Sequence, residues 1–169
     1  MSKITPSAIK AKVEELNASI VQQKQELFKL AKEHFNTLAQ ELFDKHPDLK
    51  QFSWEQYTPY FNDGDVCSFG VYADEPLING HRPYENSGDE ELGINFYTGQ
   101  RETLSEYNQE TRKWDQRRNP NYNPYHATVI DEIGSFIWAF GQEVLQDMFG
   151  EGRIIVTPGN VEVEDCDHD

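Results

Sequence analysis

Apolar side chains recur along the first part of the chain at Ile9, Val13, Leu16, Ile20, Leu27 and Leu30, in four- and three-residue steps with one gap at Gln23. That period is the seam of a coiled coil, and it predicts a helix over residues 6–45. Thr5 can cap its start, Pro6 suits the first helical position, and Pro47 after His46 marks its end. Phe28, Ala31, Phe35, Leu38, Leu42 and Phe43 widen the apolar face toward the C-terminal half. Unbroken, such a helix is about 60 Å long, which exceeds the width of a compact domain of this size. Its first half therefore projects, bends back or pairs with a partner. A break near Asn17 to Ser19, giving two helices of one bundle, is the alternative.

After Pro47 the pattern changes to aromatic alternation punctuated by turn residues. Phe52 and Trp54 fall on one face of a strand, the run TPYFNDG turns, and Val66 to Tyr72 returns, which predicts a hairpin. Residues 73–91, with Pro76, Gly80, Pro83 and Gly88, read as a long polar connection. Leu92, Ile94 and Phe96 alternate as a further strand. Leu104, Tyr107, Thr111 and Trp114 space a thinly amphipathic helix from Arg101 to Arg118, and Ile130, Ile133, Ile137, Phe140, Val144 and Met148 a stronger one from about His126 to Phe149. Gly134 and Gly141 on the latter suggest a close approach of another element. RIIVTPGNVEVED reads as a hairpin around Pro158, Gly159 and Asn160. The fold expected is α+β: an antiparallel sheet of about five strands packed against helices and preceded by a long N-terminal helix. Residues 1–46 form that helix, a candidate oligomerisation element through residues 5–45, and residues 47–169 the α+β domain.

Charge sharpens this picture. The 169 residues carry 30 Asp and Glu against 15 Lys and Arg, a net charge of −15. The excess sits in two blocks, residues 51–100 at −8 and residues 126–169 at −9. Nucleic-acid affinity rests on cations that displace counterions, so direct binding to nucleic acid is not expected. A basic protein surface is the better-matched partner. The exception is Arg112, Lys113, Arg117 and Arg118 near Trp114, Tyr122 and Tyr125, read as a solvated helix end that complements the helix dipole. No membrane-spanning run and no signal-peptide apolar region are found, which predicts a cytoplasmic protein. Cys67 and Cys166 are too few and too distant for a disulfide framework.

Candidate chemistry is sparse. Asp63, Gly64 and Asp65 invite a calcium loop, but Ser68 stands where that loop needs Gly and Asp74 where it needs Glu. Asp63, Asp65, His81, Asp167 and His168 could converge on a metal if the two hairpins are neighbours, which is the alternative reading of function. There is no Gly-x-Ser-x-Gly elbow and no glycine-rich phosphate loop, so no catalytic residue and no cofactor is assigned. The acidic contact candidates are Asp63 and Asp65 at the hairpin tip and Glu85, Asp89, Glu90 and Glu91 in the long connection. Tyr57 and Tyr60 are the aromatic ones; the run they belong to, Trp54, Tyr57, Tyr60 and Phe61, reads first as sheet core and alternatively as an exposed interface anchor.

The segment from Phe52 to Phe69, FSWEQYTPYFNDGDVCSF, resembles small uncharacterised proteins of tailed bacteriophages with relatives in bacteria. The ending with Asp167, His168 and Asp169 after a Gly-centred hairpin is similar too. The resemblance implies a phage or prophage accessory protein and assigns no catalytic residue. The resemblance itself gives such a protein no role, but small acidic phage proteins often act by binding and blocking host proteins, some by resembling nucleic acid in charge. The expected function is therefore that of a non-enzymatic acidic protein acting on a basic, nucleic-acid-handling or defence protein of the host. A self-assembling structural role is a further alternative.

Overall fold

The computed structural model describes residues 5–60, 64, 66–83 and 92–166. Helix α1, Pro6–Lys45, runs unbroken for 40 residues. The Thr5 hydroxyl accepts a hydrogen bond from the Ala8 amide at 3.3 Å, and Pro6 occupies the first turn, where no amide is needed. The helix ends at His46, ahead of Pro47.

Strands β1 (Phe52–Tyr57), β2 (Gly70–Ile78), β5 (Gly152–Thr157) and β6 (Asn160–Glu164) form one antiparallel sheet in the order β2-β1-β5-β6. Burial alternates along β5, where Ile154 and Val156 point inward and Arg153, Ile155 and Thr157 outward. One face of the sheet is thus core, and no helix among the described residues covers the other. The inner face meets the C-terminal half of α1, α3 (Pro124–Phe140) and α4 (Gln142–Phe149). Phe35 is the hub of that contact, with ring centroids 5.0–5.1 Å from Phe136, Phe140 and Phe149. Phe52 and Trp54 lie beneath, so those two members of the aromatic run are core. The tight reversal between β5 and β6 has Pro158 followed by Gly159 at φ 77°, the backbone that a Pro-Gly turn requires.

Four expectations are corrected. Residues 101–118 are not a helix but a two-stranded ribbon, β3 (Thr103–Asn108) with β4 (Lys113–Arg118), so Arg112, Lys113, Arg117 and Arg118 complement no helix dipole. The Asn108 carboxamide accepts from the Glu110 and Thr111 amides and closes the turn, and Tyr107 pairs across the ribbon with Trp114. Leu92 to Phe96 form no strand: the Asn95 side chain accepts from the Thr98 amide and starts the short helix α2, Phe96–Gly99. Gly141, at φ 74°, divides the last long helix into α3 and α4 rather than serving a close approach, and a side chain at Gly134 would meet nothing within 4 Å. The segment from Ala73 to Ile78 is strand and not connection. β2 keeps Pro76 because it is a sheet edge, where a missing amide breaks no ladder.

Candidate interaction surface

The uncovered face of the sheet gathers the polar chemistry of the body. Pairing places Ser53 opposite Leu77 but Glu55 opposite Tyr72, so Ala73 to Pro76 bulge out opposite Trp54 alone. The bulge presents Asp74 and Glu75 to solvent at one edge of the sheet. At the other edge, β6 presents Glu162 and Glu164, which lie opposite Ile155 and Arg153. Between the edges lie two adjoining grooves of about 460 and 470 Å³ that share Ser53 and Leu77. Arg153 and Glu162 line the first, and Tyr72, Asp74 and Arg82 the second.

Glu55 sits at the centre. Its Oε1 lies 3.0 Å from Nη2 of Arg153, the residue facing it across β1 and β5, and 3.4 Å from Nη2 of Arg82. Beside it the rings of Tyr57 and Tyr72 stack with centroids 4.5 Å apart. Burial, then Tyr72 and Glu55, push the Tyr57 phenol above its ordinary value. Cys166 follows β6 onto the same region. Burial and then Glu55 raise its thiol, against a smaller pull downward from Arg153.

Of the residues singled out in the sequence, Tyr57 is part of this face and half-buried, while Tyr60 beyond β1 is exposed. Asp63, Asp65, Glu85, Asp89, Glu90, Glu91, Asp167 and His168 lie outside the described residues. His81 is buried, with its Nε2 3.3 Å from the Gly93 carbonyl oxygen, and ties down the loop after β2. Among the described residues, no three His, Cys, Asp or Glu side chains are grouped to hold a metal ion. The basic cluster stands along the exposed ribbon, where Arg117 Nε reaches Glu106 at 3.2 Å.

The sequence reading missed Glu55, Arg82 and Arg153. A signal was present, because Arg82 is the single cation of residues 51–100 and Arg153 that of residues 126–169. A lone cation kept inside an acidic block points to a carboxylate partner, and both arginines pair with the same one.

A second surface lies on α1, which carries two apolar faces. Ala31, Phe35, Ala39, Leu42 and Phe43 are buried against the body. The seam of Ile9, Val13, Leu16, Ile20, Leu27 and Leu30, about a quarter-turn away, is between 49% and 54% exposed at every position. Lys24 and Lys32 hold the helix to α4 through Glu143 at 2.6 Å and Asp147 at 2.9 Å.

No protein-family model, curated protein or solved structure matches the chain. No helix among the described residues is long and apolar enough to cross a membrane.

Proposed function

We propose that this chain is a non-enzymatic binding protein whose acidic sheet face engages a basic surface of a partner protein. The observation that supports this reading is the arrangement around Glu55. The lone cations of the two acidic blocks are both drawn to that one carboxylate, while Asp74, Glu75, Glu162 and Glu164 stand exposed along the two edges. A basic partner then meets carboxylates on both sides of shallow grooves, with the Tyr57 and Tyr72 pair as apolar contact between them. The resemblance of the Phe52 to Phe69 segment to tailed-phage proteins makes a host protein that normally handles nucleic acid the fitting target, in the bacterial cytoplasm. Exposed carboxylates of this kind accelerate encounter more than they add affinity, so the binding is salt-sensitive.

The test is capture by the tagged protein from bacterial lysate at low and moderate salt, followed by titration of the captured protein. The variant Asp74→Asn, Glu75→Gln, Glu162→Gln, Glu164→Gln should lose most of the association rate and its salt dependence. Equal binding by the variant at both salts overturns the reading.

A further inference from the structure

Every residue from Thr5 to Leu27 is exposed, so apart from the Lys24–Glu143 ion pair near its end the N-terminal half of α1 draws little support from the body. Most helical stability in proteins comes from burying an amphipathic face rather than from propensity. Asn17, Ser19, Ile20 and Val21 lie in the middle of this half and are only middling helix formers. The segment nevertheless carries an apolar seam that no other described residue covers.

We propose that a second copy of this chain covers it, and that the two α1 helices form a parallel, in-register, two-stranded coiled coil. With Val13, Ile20 and Leu27 at the a positions, Ile9, Leu16, Gln23 and Leu30 fall at d. The β-branched Val13 and Ile20 at a, with Leu16 and Leu30 at d, favour two parallel strands, while Leu27 at a and Ile9 at d depart from that pattern. Gln23 decides the register. Only parallel, in-register pairing sets it against Gln23 of the second copy, where the two carboxamides can hydrogen-bond. The antiparallel pairing that sets Ile9 against Leu27 and Leu16 against Ile20 instead faces Gln23 with Val13.

The flanking charges agree. In register, Lys12 faces Asn17 of the second copy and Ser19 faces Lys24, so no like charges oppose each other. A slip of one heptad opposes Lys12 to Lys24; the antiparallel arrangement opposes Lys10 to Lys24 but sets Lys12 against Glu26, so the charges select the register and Gln23 the orientation. Leu38, also exposed, extends the apolar strip along one flank. From Ile9 to Leu38 the strip is about 44 Å long. A band covering a third of the circumference of a helix about 11 Å across then amounts to roughly 500 Å² on each chain, or about 1,000 Å² between two, which is where specific interfaces begin. The coil joins two bodies side by side, so two acidic faces reach a partner together.

The mass in solution, by light scattering, tests the pairing. Wild type should weigh twice the 19.6 kDa chain. Leu16→Lys with Ile20→Lys should reduce it to one chain mass with the thermal transition of the body retained, because neither residue touches the body. A wild-type monomer at high concentration overturns the proposal. So does a double variant that stays dimeric, since the dimer then uses another surface. Orientation is read by Ile9→Cys in a Cys67→Ser, Cys166→Ser background. Parallel pairing gives a disulfide-linked dimer on oxidation, whereas the antiparallel arrangement holds the two positions about 27 Å apart. A dimer that does not cross-link overturns the parallel arrangement.

Discussion

His46 Nε2 lies 2.7 Å from Glu132 Oε2, and this contact fixes the end of α1 to the middle of α3. The other ring nitrogen lies 2.6 Å from the Tyr125 hydroxyl, and Lys45 Nζ reaches the same carboxylate at 2.7 Å. His46 is 1% exposed, so its ring depends on these partners. The contact sets the direction in which the N-terminal half of α1 leaves the body.

Acid should loosen the fold in two stages. Burial holds the His126 ring below its ordinary value of 6.5, so the unfolded chain takes up a proton there before the folded one does. Its contribution is complete above pH 6.5 and declines below. Hydrogen bonds from Lys45 and His46 hold the Glu132 carboxyl below its ordinary 4.5, so its contribution is complete above about pH 4.5 and is lost as pH falls through the lowered value. Urea midpoints measured at pH 7.5, 5.5 and 4 on wild type, His126→Gln and Glu132→Gln separate the stages, because each variant removes one of the two titrating groups. His126→Gln should narrow its gap to wild type between pH 7.5 and 5.5. Glu132→Gln should cost about 1–2 kcal/mol at neutral pH and less at pH 4. Gaps that do not change with pH contradict the assignment.

Asn79 should be the most sensitive polar position in the body. It is fully buried at φ 51°, a conformation Asn tolerates better than most residues. Its carboxamide accepts from the Lys50 and Gln51 amides at 2.8 and 3.2 Å and donates to the Asp48 and Ile94 carbonyls at 2.9 and 3.2 Å. One side chain thus joins the entry to β1, the end of β2 and the approach to α2. Asn79→Ala should lose about 2–4 kcal/mol in urea unfolding, because it strands buried backbone groups and adds a Cβ at positive φ. Asn79→Gly should recover only the backbone part, so a glycine variant as stable as wild type refutes the hydrogen-bond account.

Two glycines should respond in opposite directions. A Cβ on Gly99 would sit 1.9 Å from Nδ1 of His126, a ring packed against the backbone of α2, whereas one on Gly134 meets nothing within 4 Å. Gly99→Ala should therefore destabilise by roughly 1–3 kcal/mol through overpacking. Gly134→Ala, inside α3, should stabilise by about 0.5–1 kcal/mol through helix propensity. Thermal melts of both decide, and a loss at Gly134 would contradict the open space beside it.

These contacts also show which parts of the structure were legible in the sequence. The unbroken α1 and the β5–β6 hairpin were, because a sustained seam and a Pro-Gly pair are local signals that packing did not override. The β3–β4 ribbon was not. Leu104, Tyr107, Thr111 and Trp114 mimic a helical period, but β4 is exposed along its whole length and β3 along most of its own, so there was little burial for a period to report. What decides there is the Asn108 side chain in the turn. The same holds for Asn95, which starts α2, and Asn79, whose partners are distant in sequence. On the candidate face, Tyr57 was legible as one of an aromatic run. Glu55 was not, because its two arginines come from segments that meet only once the sheet has formed.

Gln23 offers the sharpest test of how the α1 seam is specified. A polar residue in an otherwise apolar seam lowers the stability of the pairing but penalises every register that does not match it with a polar partner. Gln23→Leu removes that penalty and completes the apolar repeat from Ile9 to Leu30. The variant should dissociate at higher urea than wild type, and it should gain access to slipped registers and higher oligomers, seen as a mass distribution extending beyond two chains. In the Ile9→Cys background it should also cross-link less completely, since slipped or reversed pairs separate the cysteines. A Gln23→Leu variant with the wild-type mass, cross-linking and urea midpoint would mean that position 23 does not lie in the interface, and that the two helices meet along another face.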